Sequence, residues 1–228
     1  LYTCWQDVVQ GCQKTTNYVC DLLKIPVTTI SIYREEDLWL LDFAQQRQEQ
    51  KLKNVHVCTL DVNMSAEGYS STMSFNATER LIVTAGSPLN YRFVGKLSAS
   101  KTLFIYRGVW ITGDHLLGLE SSNAILLQTE LRSADINALL RVWLNGGLPN
   151  LKYLEIEQIT LNNPIYEGVR DRLEPVQGKI SYKWDESDVK FNTNAVHLRR
   201  EDNVVATVSI NAQTFIMAVW PDVYGNRV

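Results

Sequence analysis

The sequence contains no CxxC pair, no HExxH, no GxSxG elbow, no GxxxxGK loop and no GxGxxG after a strand-like run. These absences remove the familiar signatures of zinc, serine-hydrolase, P-loop and dinucleotide chemistry. Cysteine is scarce, with Cys4, Cys12, Cys20 and Cys58 all in the first quarter of the chain. The spacing of eight between the first three winds around a helix instead of lining one face, so the thiols read as reduced packing residues. Histidine is scarcer still, and His56, His115 and His197 are too scattered to suggest a metal site. No apolar run approaches the roughly 18 residues that span a bilayer. Basic residues are not in excess: 22 Lys and Arg against 25 Asp and Glu leave a net charge of −3, which gives no footprint for nucleic acid. No cofactor, metal, membrane or nucleic-acid partner is expected.

What remains is an ordinary globular composition over 228 residues, with 45 % hydrophobic and 21 % charged side chains. That length buries a sizeable core without staples. A chain opening on Leu1 instead of Met reads as a fragment preceded by a leader or another domain. The sequons at Asn63 and Asn76 are no more than chance provides, so cytoplasm or nucleus is the expected location.

A repeat runs through the chain. Leu151-Lys152-Tyr153-Leu154-Glu155-Ile156-Glu157-Gln158-Ile159 fits an LxxLxLxxL frame, as does Leu52-Lys53-Asn54-Val55-His56-Val57-Cys58-Thr59-Leu60. Weaker copies place apolar pairs at Ile30 and Ile32, Leu81 and Val83, Leu103 and Ile105, and Ile125 and Leu127. The frames start at 27, 52, 78, 100, 122 and 151, steps within the range of about 20–29 residues shown by leucine-rich repeats.

Helical patterns fall between the frames. Ser133 to Leu144 carries Ile136, Leu139, Leu140 and Trp143 at i, i+3, i+4 and i+7, with Ser133 as N-cap, Asp135 in the first turn and Gly146-Gly147 as the stop. Glu35 to about Gln50 is a second helix, Thr112 to Leu119 a short one, and Trp5 to Leu23 an amphipathic one bearing Val8, Cys12, Val19 and Leu22 or Leu23. After about residue 160 the pattern turns to strands. Ala195–Arg200, Val204–Ile210 and Thr214–Val219 are joined by short turns as a meander. The expected fold is α/β: a leucine-rich-repeat-like solenoid of parallel strands and helices with a C-terminal antiparallel β meander. Its parts are an N-terminal helix over 1–26 capping the repeats, the repeat region over 27–160, and a β-rich segment over 161–228.

Three local groups invite chemical readings, and each has a plainer one. Asp114-His115 could perform acid–base work, but a histidine at the start of a short helix reads as a polar residue facing solvent. Cys58 with His56 on one strand face could form a nucleophile pair but reads as packing. Asp185-Glu186-Ser187-Asp188 lacks the glycine and distal glutamate of a calcium loop and reads as a solvated turn.

The stretch Leu103-Phe104-Ile105-Tyr106 to Trp110-Ile111-Thr112, Leu116-Leu117, the helix Asp135 to Asn145 with Gly146-Gly147, and Leu151-Lys152-Tyr153-Leu154 together resemble the nematode F-box-associated domain, type 2. Trp5, Tyr166-Glu167-Gly168-Val169 and the closing strands to Trp220 extend the likeness over nearly the whole chain. Leu139 stands where that family usually has Phe, and Gly147-Leu148 where a Ser-Asn-like turn is common. The resemblance implies a non-catalytic substrate receptor. An F-box upstream of Leu1 would dock on the Skp adaptor of a cullin-based ubiquitin ligase, leaving this domain to choose protein substrates. The alternative is an interaction scaffold of the same fold without ligase coupling.

If the frame residues point inward, those between and after them line the other face of the sheet. The outward pairs are then Ser31 and Tyr33, His56 and Cys58, Ile82 and Thr84, Phe104 and Tyr106, Leu126 and Gln128, and Glu155 and Glu157. Ile82, Phe104, Tyr106, Leu126, Gln128, Glu155 and Glu157 are the candidate protein-binding residues, an apolar stripe with an acidic end. The competing reading is that the C-terminal strands cover this stripe as core, and a register slip of one residue would exchange the two sets.

Overall fold

The computed structural model describes residues 7–59, 63–160, 165–184 and 187–228. Leu1, Cys4, Trp5, Leu60, Asp185 and Glu186, named in the expectations above, lie outside the described residues. Six strands, β1 (Thr29–Ile32), β2 (Asn54–Val57), β3 (Arg80–Val83), β4 (Thr102–Ile105), β5 (Asn123–Leu126) and β6 (Tyr153–Ile156), lie side by side in chain order and pair in parallel. Their alternating burial is what period-2 patterning gives when one face is covered. Ile32, Val55, Val57, Leu81, Val83, Leu103, Ile105, Leu154 and Ile156 all point into the core at full burial.

The register corrects one frame. Leu81 pairs with Leu103, Leu103 with Ala124 and Ala124 with Leu154, so Ala124 and Leu126 face inward in β5 and Ile125 faces outward. The expectation that Ile125 and Leu127 point inward is off by one residue. Asn123-Ala124-Ile125-Leu126-Leu127 is apolar at four consecutive positions, so period 2 cannot choose between registers there. Ladder pairing with β4 chooses, and the fully buried Ala124 takes the inner position.

The helices cover the inner face. In α5 (Ser133–Leu144) the buried residues are Ser133, Ile136, Leu139, Leu140 and Trp143. Its cap lies one residue earlier than expected: the Arg132 N–H donates to Asp135 Oδ2 at 2.8 Å, while Ser133 Oγ donates to the Thr160 carbonyl. The helix ends at Asn145, and Gly146 takes φ +86°, a conformation that favours glycine. A short α4 (Gly113–Leu117) matches the expected turn.

Elsewhere tertiary contacts reshape the local patterns. The expected helix from Glu35 to Gln50 is a 3-10 turn at Glu35–Asp37 followed by α2 (Trp39–Arg47). The Gln48 side chain bonds both the N–H and the carbonyl of Val27 at 2.8 Å, drawing the chain out of the helix. α3 (Ala66–Ser74), rich in Ser and Gly, has no clear helical signal in sequence. The Gly68 N–H donates to its N-cap Ser65, Glu35 accepts from the Ser65 N–H, and Tyr69, Thr72 and Met73 are buried beneath it. The N-terminal helix α1 (Val8–Leu23) forms, but its expected apolar stripe does not face the core. Val8 and Leu22 are 75 % and 64 % exposed, whereas Gly11 and Cys20 are buried. The polar side of α1 meets α2 instead, through Arg47 to Asn17 Oδ1 and Asp21 Oδ1 at 2.8 and 2.7 Å.

The C-terminal segment extends the same sheet. β7 (Leu173–Pro175), β10 (Val196–Arg199), β11 (Val205–Asn211) and β12 (Thr214–Val219) are antiparallel, and β12 docks on β6, giving ten strands in the order β1-β2-β3-β4-β5-β6-β12-β11-β10-β7. Asn203 and Ala212 adopt positive φ in the two connecting turns of the meander. A separate antiparallel hairpin, β8 (Ile180–Trp184) and β9 (Ser187–Phe191), was not anticipated. Instead of being wholly a turn, the charged run enters β9 at Ser187, and Asp188 pairs with Lys183 at 2.7 Å. The fold is thus α/β, with a large mixed sheet and a small antiparallel one.

Candidate protein-recognition face

The outward face of the sheet carries one continuous row. Ladder pairing aligns Ser31, His56, Ile82, Phe104, Ile125, Glu155, Ile216 and Ser209 across eight neighbouring strands. Ile82, Phe104 and Glu155 are half-buried. Leu126, expected in this row, is fully buried in the core. Gln128 is displaced too: it sits in a turn at φ 51°. Leu127 takes its place next to Tyr106, since the Leu127 N–H bonds the Ile105 carbonyl just as the Tyr106 N–H bonds that of Val83. Tyr106 is 40 % exposed, and Glu157 continues the face two residues beyond Glu155.

The hairpin decides how far this face is covered. Tyr182, Trp184 and Phe191 form a second core with Tyr153, Val176, Ala195, Val205, Ala218 and Trp220, and Ile125 and Ile216 pack at its margin. The Tyr153 ring stacks on Trp184 at 4.5 Å and 14°, and the Tyr182 hydroxyl donates to the Lys152 and Val219 carbonyls. Asp222 ties this cover to the end of the chain by accepting from the Lys183, Tyr224 and Asn226 N–H groups. Burial works against its charge, but those bonds hold the Asp222 carboxyl below the usual range. Ile82 and Phe104 belong to neither core. The stripe is therefore lined with cover at its β6 and β12 end and open over β3 and β4. Neither the recognition reading nor the core reading of the sequence describes the whole of it.

Within the row the acidic residue is Glu155, while the cationic Arg80 stands on the same face two residues before Ile82. The Glu155 carboxylate lies between Ile125 and Ile216 and accepts one hydrogen bond from the Tyr153 hydroxyl at 2.7 Å. Burial, and then Glu155 itself, push the Tyr153 phenol strongly upward, so it stays a donor. Among the described residues no ion pair engages Glu155 or Glu157.

The other candidate groups are occupied by structure. His115 Nδ1 accepts from the Thr112 N–H at 3.1 Å and lies 3.0 Å from the Thr112 hydroxyl, which fastens the loop before α4. Burial lowers its pKa, with the Phe93 main chain and Asp114 pulling the other way. It sits in a cluster of edge-to-face rings with Trp110, Tyr91 and Tyr69, where burial raises the Tyr69 phenol to about 12. Cys58 lies just past β2, two residues from His56, whose pKa is lowered by burial and by Arg80. Cys12, Cys20 and Cys58 are free thiols. Among the described residues no group of His, Cys, Asp and Glu could hold a metal ion, and no helix is long and apolar enough to cross a membrane.

The mixed sheet thus has one helix-covered face and one partly open apolar face. The model of a family described as F-box associated matches residues 96–156, from before β4 to the end of β6, and supports that domain type. No curated protein and no solved structure matches the chain. Phe104, Ile125 and Glu155 lie within the matched segment. Ile216 and the Trp184 hairpin lie outside it, and no signal in the repeat frames pointed to them.

Proposed function

We propose that this chain is the substrate-recognition domain of an F-box protein of the nematode type. It presents target proteins to a cullin-based ubiquitin ligase through the Skp adaptor, in the cytoplasm or nucleus. The observation carrying the reading is the half-buried pair Ile82 and Phe104, outside both cores, on the same face as Glu155 and Glu157, which make no ion pair among the described residues. An exposed apolar stripe with a charged end is the form of a protein-binding site. Six parallel strands in chain order, starting 21 to 30 residues apart, favour a leucine-rich-repeat-like construction for the first two thirds. The ligase reading rests on the F-box-associated match and on the earlier resemblance. In it the chain is non-catalytic, and the ligase chemistry belongs to other subunits.

Co-purification of the full-length gene product with the Skp adaptor and cullin tests the coupling. Recovery of both, together with ubiquitination of a captured target, is expected. Target capture without the adaptor would make the chain a freestanding scaffold.

A further inference from the structure

We infer that the segment received by this face is an amphipathic helix lying across the strands, with a Lys or Arg one turn beyond its apolar stripe. The inference rests on the recognition reading above and names the class of substrate. Ile82, Phe104, Ile125 and Glu155 occupy successive strands at one register level, so their spacing is that of neighbouring strands, about 4.8 Å per step. An α-helix repeats its face every turn, about 5.4 Å. Over three steps the two differ by about 2 Å, well within the reach of side chains. An extended peptide repeats its face every second residue, about 6.7 Å, and falls out of step by nearly 6 Å over the same distance. Residues at i, i+4 and i+7 of a helix therefore meet Ile82, Phe104 and Ile125 in turn, and i+11 arrives at Glu155.

The chemistry at that last position is specific. Glu155 is a half-buried carboxylate between two isoleucines, with a single hydrogen bond from Tyr153 and no ion pair among the described residues. A partly desolvated carboxylate of this kind is best satisfied by a cation that completes its hydrogen bonding. Glu157 adds a second negative charge on the same face. The hairpin stands over Tyr153, on the side of Glu155 away from Glu157. It borders the row at Ile125 and leaves Ile82, Phe104 and the flanking Tyr106 as the open part of the bed for the helix.

The test uses displayed peptides of about 15 residues, each stapled as a helix with Leu or Phe at i, i+4 and i+7 and a random residue at i+11. An unstapled, fully random library is panned in parallel. Both are panned over the chain and over its Phe104→Arg and Glu155→Gln variants, after melting curves confirm that the variants fold. Expected is Phe104-dependent retention of the helical library, with Lys and Arg favoured over Glu at i+11 by about tenfold. Because Gln still accepts the Tyr153 bond, that preference should fall to near parity on Glu155→Gln without loss of fold. Phe104-dependent retention of non-helical peptides, or a basic preference unchanged by Glu155→Gln, overturns the helix inference and leaves the face as a recognition site. If no peptide from either library is held better by the chain than by Phe104→Arg, the recognition reading falls with it.

Discussion

Leu126 and Ile125 are adjacent in sequence and opposite in consequence. Leu126 is fully enclosed among the helices, so Leu126→Ala removes core contacts and leaves a cavity costing about 2–5 kcal/mol. Ile125 lies at the margin of the hairpin core, and Ile125→Ala should cost clearly less. Urea denaturation of the two variants reads the register directly. Equal losses, or a larger loss for Ile125→Ala, would contradict the ladder assigned to β5. Protonation gives a second handle at this scale. His56, His115 and His197 all have lowered pKa values, in each case mainly through burial. The unfolded chain therefore binds more protons below the ordinary histidine value of about 6.5, and their stabilising contribution, complete above it, is lost as pH falls through the depressed folded values. The thermal midpoint should fall between pH 7 and 5, and His115→Gln should flatten that fall. A midpoint that rises on acidification over this range would contradict the placement of the three rings.

At the scale of elements, α5 shows how fully a well-patterned segment announces itself. Its apolar stripe and the Gly146 stop are in the sequence and the helix spans Ser133–Leu144, with the cap at Arg132 bonded to Asp135 instead of at the expected Ser133. Trp143 closes the stripe at 1 % exposure with the Arg200 guanidinium over its ring at 5.5 Å. Trp143→Ala should cost about 3–5 kcal/mol in equilibrium unfolding. A loss below about 1 kcal/mol would place the helix in solvent. α3 was not legible for the opposite reason. Its Ser- and Gly-rich sequence has little intrinsic preference, and it is held by Glu35, from before α2, and by burial of Tyr69. The slipped frame of β5 has a third cause, since a run of consecutive apolar residues carries no period-2 information and only strand pairing fixes it. The stripe of α1 was visible as an amphipathic pattern. Pattern alone does not say what an apolar face meets, and here Val8 and Leu22 meet no core.

For the whole molecule, the parallel region could be read from its frames because each strand buries the same two positions against the helices. The candidate face could be read only in part. Ile82, Phe104, Tyr106, Glu155 and Glu157 lie where alternation puts them, while Leu126 and Gln128 gave way to Ile125 and Leu127. The hairpin over Tyr153 depends on contacts distant in sequence, from Trp184 to Tyr153 and from Lys183 to Asp222, which no local pattern encodes. That hairpin sets the limit of the open surface, so the function proposed for the chain depends on what lies uncovered beside it. The most direct measurement is the dissociation constant of an identified target for the chain and for Phe104→Arg, with melting curves taken on both. Weakening by about thirtyfold or more with a nearly unchanged midpoint is predicted, as for a central interface residue outside the core. An unchanged dissociation constant in a folded Phe104→Arg variant would contradict recognition at this face.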